Sequence, residues 1–311
     1  MVDAATHIRA ELARYSFEDL SRLYPYEKKW QMRQPWLLEL GYSLRPRFRV
    51  GWVPTWQKFE WLPKWVKYGL LSPYTREDSL ALEYGSLIMD ATRLSDGAYV
   101  IMKAVDNSRY PNEVAITTYL SSAGLARDPR NHCVPVLDSF DAPDDPTRTI
   151  IVLPLLRRFD DPPFETVGEA VDCIRQLLEG LQFMHEQYIA HRDCTWLNIM
   201  MDASPLYPAP FHPAQPDRRR DWKGPAKHYS RADRPVKYYF IDYGLSKRYE
   251  AGLMGSHRDL PVTAGDKTVP EHQGPLINVP TDPFATDVYL LGNVINDKLI
   301  KVHTPVNDPR S

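Results

Sequence analysis

Several features that usually announce a function are scarce in this sequence. Its three cysteines, Cys133, Cys173 and Cys194, are too few for a disulfide framework and lack zinc spacing, so reduced thiols in an intracellular protein are expected. A formal net charge of −2 gives no basic footprint, which argues against nucleic acid as the main partner. No apolar run approaches the ~20 residues that a membrane helix needs. The start, Met1 to His7, lacks the basic and apolar parts of a signal peptide. The expectation is a soluble protein of the cytoplasm or nucleus, with no membrane partner. What remains is a 43% hydrophobic chain with room for about two domains and their cores.

Residues 3–22 place Ile8, Leu12, Tyr15, Phe17 and Leu20 among charges at spacings that predict a short amphipathic helix or two. Residues 1–79 as a whole are rich in Trp and Pro. Six of the eight tryptophans lie between Trp30 and Trp65, interleaved with prolines and with Arg45-Pro46-Arg47-Phe48-Arg49. Aromatic and basic residues together can stack bases. The net charge favours an irregular extension that buries large rings where no helix or strand forms.

From about Leu80 the pattern turns to strands. Leu87–Leu94 and Ala98–Val105 flank Ser95-Asp96-Gly97, a hairpin signal. Pro111–Leu120 predicts a short helix opened by proline. Asn131–Phe140 and Thr149–Leu156 predict two further strands, the second buried. Thr166-Val167-Gly168-Glu169 has the form of a capping box, followed by apolar residues at helical spacing up to Met184. Residues 203–235 hold seven prolines and seven Lys or Arg, which predicts a solvated inserted loop whose replacement by a short linker would change stability little.

Two stretches carry chemistry. One is His191-Arg192-Asp193-Cys194-Thr195-Trp196-Leu197-Asn198; the other is Phe240-Ile241-Asp242-Tyr243-Gly244. Either alone reads as satisfied turn residues. In this order, H-R-D-x-x-x-x-N and then D-Y-G resemble the protein kinase superfamily. Ala98–Val105 is similar to the strand that carries the kinase lysine, Val269-Pro270-Glu271 to the end of an activation segment, and Asp287-Val288-Tyr289-Leu290-Leu291-Gly292 to a buried helix whose aspartate holds the catalytic loop. Arg130–Pro135 and Pro163–Ala170 look like a group of kinase-domain proteins abundant in mushroom-forming fungi.

The resemblance implies an α+β, bilobal fold. Residues 80–156 would form a small antiparallel sheet lobe with one helix, and 157–311 a mainly helical large lobe, incomplete after the helix at 287–300 and carrying the insert at 203–235. Val288 to Ile300 would then expose an apolar outer side open to self-association. It implies ATP and Mg²⁺ as cofactors and a protein substrate. Asp193 would be the base and Arg192 the partner of a phosphorylated Ser256, Thr263 or Thr268. Lys103 and its partner Glu113 would hold phosphates, Asn198 and Asp242 would hold Mg²⁺, and Leu153, Leu155 and Leu156 would meet the adenine. Two departures matter. Leu82–Met89 holds one glycine where kinases place G-x-G-x-x-G, and Thr195 stands where Ser/Thr kinases carry a lysine. The expected activity is phosphoryl transfer to protein Ser/Thr; a pseudokinase scaffold and a small-molecule phosphotransferase remain the alternatives.

Overall fold

The computed structural model describes residues 20–57, 63, 76–80, 87–251, 257–262, 266 and 268–301. The predicted helices of residues 3–22 therefore fall almost wholly outside the described residues, as does the glycine-poor stretch Leu82–Ser86. Four α-helices and several antiparallel sheets are described, an α+β class. Among the described residues no helix is long and apolar enough to cross a membrane. The chain divides into two compact units, neither continuous in sequence: Met1–Ala104 with Ala142–Asp145 and Tyr207–His228, and Val105–Asp141 with Pro146–Leu206 and Tyr229–Ser311.

The first unit opens with helix α1 (Pro25–Glu39), where the sequence predicted irregular chain. Proline at the first position needs no hydrogen bond, and the Glu27 carboxylate accepts the Tyr24 N–H at 2.7 Å. Trp30, Arg33 and Leu37 then fall on one buried face. Pro35, inside the helix, is the helix breaker that hid it from sequence reading. Strand β1 (Tyr42–Leu44) pairs antiparallel with β2 (Ile88–Arg93), which pairs with β3 (Tyr99–Asp106). The β2–β3 connection carries the predicted Asp-Gly turn. Gly97 takes φ +73°, where a side chain would be strained, and Asp96 accepts the Ala98 N–H at 3.0 Å.

The insert is not a solvated loop. Its central part forms β9 (Phe211–His212) and β10 (Gln215–Arg219), with Tyr207, Phe211, His212 and Gln215 buried. Two of its arginines, Arg220 and Arg231, meet protein rather than water. Arg220 donates to Asp90 at 3.0 Å, and the same buried carboxylate accepts Arg45 Nε at 2.9 Å. His212 Nδ1 accepts the Ala214 N–H, which leaves Nε2–H to donate to Glu77 at 3.2 Å. Burial works against the Glu77 charge, but the bonds from His212 and Arg45 outweigh it and hold its carboxyl at about 2. Arg47, wholly buried, is matched by Glu27 at 2.8 and 3.0 Å and by the carbonyls of Leu20, Arg22 and Asp78.

In the second unit, α2 (Glu113–Leu120) precedes a hairpin of β4 (Asp138–Asp141) and β5 (Arg148–Pro154). The predicted strand at Asn131–Phe140 is shorter than expected. Residues 131–137 are held instead by the Asn131 amide on the Leu120 and Leu125 carbonyls and by a bridge from Cys133 to Phe240. Helix α3 (Val167–Glu186) begins at Thr166, whose hydroxyl accepts the Glu169 N–H, while the Glu169 carboxylate accepts that of Glu165. Cys173, Leu177, Leu181 and Met184 form its buried face. At Gly180 a Cβ would lie 2.5 Å from the His132 Cβ, so close approach requires glycine. A three-stranded sheet follows in the order β11 (Lys237–Phe240), β8 (Ile199–Asp202), β6 (Arg157–Arg158). The end of the insert is fastened here: Arg231 donates to the carbonyls of Phe159, Pro162 and Pro163. Helix α4 (Pro283–Val294) buries Leu290, Leu291 and Val294 and leaves Val288 and Tyr289 exposed.

Because Asp90 is 1% exposed and serves two guanidinium groups, Asp90→Ala is expected to lower the unfolding free energy by about 3–5 kcal/mol, the cost of leaving buried charges unpaired. Replacing residues 207–228 with a short Gly/Ser linker should lower the melting temperature by several degrees. Urea and thermal unfolding read both; a wild-type melting temperature in the linker variant would mean that the insert's packing contributes nothing.

Candidate active site

The site of the second unit grows out of one hairpin and one buried carboxylate. Strands β8 and β11 pair so that Ile199 faces Phe240, and the Ile241 N–H continues the ladder to the Asn198 carbonyl at 3.0 Å. Asn198 and Asp242 therefore emerge at the same end of the hairpin. The incoming chain is positioned by β7 (Ile189–Ala190), paired with β12 (Lys247–Arg248).

Between β7 and β8 the chain has no ladder partners, so its amides need others. Asp287 on α4, with no solvent exposure, accepts the His191 N–H at 2.8 Å and the Arg192 N–H at 2.6 Å; His185 Nε2 lies 3.1 Å from the same carboxylate. The His191 side chain is buried against Phe240 and Tyr243, with ring centroids at 5.9 and 5.2 Å. Its Nε2 lies 3.0 Å from the Ile241 carbonyl, which can only accept, so Nε2 carries the proton. Histidine thus ties the two motif loops together.

Asp193 follows directly. Its Oδ2 accepts Asn198 Nδ2 at 2.8 Å, and the same amide donates to the Asp193 carbonyl at 2.9 Å. Its Oδ1 is buried without a hydrogen-bond partner among the described residues. Burial raises the Asp193 pKa; the negative charges of Asp242 and Asp287 act in the same direction, against His191 and the Asn198 bond. The result is a carboxylate fixed at one oxygen and buried without a hydrogen bond at the other, with raised basicity.

Asp242 takes φ +64°, an uncommon conformation for a residue with a side chain, and its Oδ1 accepts the Gly244 N–H at 3.2 Å. A Cβ on Gly244 would lie 3.2 Å from each of Asp242 Oδ1, Glu113 Oε2 and the Tyr110 ring. Glycine here lets the α2 carboxylate come beside Asp242. Glu113 is 2% exposed. Tyr243 is buried, its hydroxyl donating to the Phe240 carbonyl at 3.1 Å.

The expected residues divide as follows. Glu113, Asp193, Asn198 and Asp242 lie around the β8–β11 end, with Arg192 beside them. Leu153, Leu155 and Leu156 lie where β5 ends and the chain passes to β6, the first two half-buried and Leu156 buried. Lys103 belongs to the first unit, on β3 opposite Ile88.

Arg192 has a partner that sequence reading missed. Its Nη2 donates to the Leu260 carbonyl at 2.8 Å and its Nη1 lies 3.5 Å from Asp259. Asp259 also accepts Lys247 Nζ at 2.7 Å and the Tyr249 hydroxyl at 3.1 Å, and its backbone pairs both ways with Thr281. Burial opposes the Asp259 charge, but these cations hold its pKa below the usual carboxylate range. A carboxylate of the chain itself thus occupies the place expected for a phosphorylated residue. Of the expected acceptors, Ser256 and Thr263 lie outside the described residues, and the Thr268 hydroxyl accepts Asn293 Nδ2 at 2.8 Å. An acid in a polar segment has no periodicity, so nothing in the sequence singles out Asp259.

The donor set fits Mg²⁺. With Nδ2 of Asn198 committed to Asp193, its Oδ1 would be the atom left to face a cation, and the Asp242 carboxylate would be the second hard oxygen ligand. Among the described residues no group of three or more His, Cys, Asp or Glu gathers for a metal. A cation held here would complete its shell with phosphate oxygens and water. Compared with known proteins, the chain matches no family model and no curated protein sequence.

Asp287→Ala leaves two buried backbone N–H groups without acceptors, at about 1–3 kcal/mol each. Hydrogen exchange should show the His191 and Arg192 amides losing protection while α3 amides such as that of Leu177 keep theirs. Unchanged protection at both sites would mean that Asp287 does not hold the loop.

Proposed function

We propose that this chain is a protein kinase, with the bilobal protein-kinase-like arrangement, that transfers the γ-phosphoryl group of ATP to a Ser or Thr hydroxyl of a protein. The observation that carries the reading is the Asp193 carboxylate, bonded through one oxygen to Asn198 and bare at the other, beside Asp242. Mg²⁺ and ATP supply the phosphoryl group and the charge that neutralises it. Asp193 Oδ1 accepts the proton of the attacking hydroxyl. Asn198 Nδ2 keeps the other oxygen oriented, and Asp287 keeps the loop backbone from turning away. Asp242 and Asn198 Oδ1 would hold the cation when it is bound. On this reading Lys103 binds phosphate, Glu113 orients that lysine, Leu153, Leu155 and Leu156 receive the adenine, and Arg192 steadies the segment after Gly244 through Asp259. No phosphorylated residue is then needed at Arg192.

The test is a radiolabelled ATP assay on a generic basic protein, run beside thermal shifts with ATP and with or without Mg²⁺. Asp193→Asn should lower transfer by about 10²–10⁴-fold, the usual contribution of a general base, and leave the nucleotide-induced shift unchanged. Lys103→Met should reduce both. Binding without transfer would replace the kinase reading with a nucleotide-binding scaffold, and transfer to a small metabolite would replace the substrate class.

A further inference from the structure

The first unit holds a second polar cleft that the proposed reaction does not use. It has a volume of about 340 Å³ and is bordered by β1, the turn after it, β2, β3 and the turn that follows β10. Three guanidinium groups line it, those of Arg45, Arg49 and Arg220. Each is fixed from within the unit. Asp90 accepts from both Arg45 and Arg220; Arg45 Nη1 also donates to Glu77 and the Leu80 carbonyl. Arg220 lies over the Tyr99 ring at 4.4 Å. Arg49 donates Nε to the Leu44 carbonyl at 2.8 Å and Nη2 to the Ser43 hydroxyl at 3.2 Å.

The donors outnumber the acceptors. Nη2 of Arg45 is buried without a hydrogen-bond partner among the described residues, and its guanidinium lies over the Phe48 ring at 5.0 Å, which leaves its charge only partly matched. Arg45, Arg49 and Arg220 together face two carboxylates, Asp90 and Glu77, which leaves one positive charge in excess. Asp221 at the rim is taken by Arg219 at 2.6 Å. Ser43 and Thr92 add hydroxyls that can turn toward an anion.

We propose that this cleft binds a phosphate group, either as free phosphate or carried on a small ester or a phosphorylated side chain. The N–H groups of Arg49 and Arg220 that are not committed to Leu44, Ser43 and Asp90 can donate to the oxygens of a tetrahedral dianion, and the internal bonds hold both guanidinium groups in place before the ligand arrives. A lone carboxylate has two oxygens for these N–H groups and the two hydroxyls, which leaves part of the set unused. The assignment is independent of phosphoryl transfer at Asp193.

The experiment is isothermal titration of the full chain with inorganic phosphate at constant ionic strength, without nucleotide or Mg²⁺, checked by ³¹P NMR. Saturable one-site binding is expected. Arg49 is exposed, so Arg49→Gln should leave the circular dichroism spectrum unchanged and weaken binding roughly tenfold, as loss of a charge-assisted pair does. Arg49→Lys should fall between, and Ser43→Ala should cost a few-fold, giving a second reading if Arg49→Gln misfolds. Lys103→Met and Asp242→Asn should bind phosphate like wild type. Titration with a phosphoserine peptide separates the sources: tighter binding than inorganic phosphate points to a protein-borne phosphate, equal or weaker binding to a free one. Non-saturable heats, undiminished binding in both Arg49→Gln and Ser43→Ala, or loss of binding in Lys103→Met would each overturn the assignment.

Discussion

A single buried carboxylate, Asp287, does for the loop at His191–Asp193 what a sheet ladder does elsewhere. The loop must leave β7 and turn before β8 begins, and in that interval its amides point away from any strand. Two of them end on Asp287. The residue is reached from α4, nearly a hundred residues later in the chain, so the loop acquires its shape only when α4 has docked. His191 then joins the loop to the Ile241 carbonyl, and through that to Asp242. Remove that carboxylate, and Asp193, the Asn198 amide that orients it and Asp242 have no common frame.

Charge in the first unit is organised by the same logic. Asp90 and Glu27 are buried acids, each paired with guanidinium forks from distant sequence, and Arg47 is satisfied entirely by protein groups. Buried pairs of this kind add little net stability compared with apolar packing, but an unmatched member is expensive, so they select one arrangement over its neighbours. Here they select the position of the insert. Arg220 can reach Asp90 only if β9 and β10 have formed, and the aromatic residues Tyr207 and Phe211 supply the apolar burial that goes with it.

The places where sequence reading missed share a cause. Composition statistics treat Pro and Arg as surface residues, and in both the extension and the insert those residues are structural. Pro25 starts α1, and α1 continues through Pro35 because Trp30 and Leu37 are buried on its face. Arg45, Arg47, Arg220 and Arg231 point inward because a carboxylate or a set of carbonyls waits there, and such partners carry no periodic signature. Asp259 is the same case at Arg192. The expected strand before Leu137 was shortened because the Asn131 and His132 side chains and one isolated bridge to Phe240, not a continuous ladder, hold the backbone.

The sequence by itself determined the elements whose information is local. The Asp-Gly turn between β2 and β3, the Thr166 start of α3 and the period of its buried face all depend on residues within a few positions of one another. It also singled out residues that the fold brings to one end of β8 and β11, since Asp193, Asn198 and Asp242 all lie in the two motif stretches. Only the tertiary structure decided which oxygen of Asp193 is bonded and which is bare, that Glu113 comes beside Gly244, and that a carboxylate already sits at Arg192. Those are questions of distance between segments far apart in the chain, and burial and hydrogen-bond satisfaction settle them only when all the segments are present together.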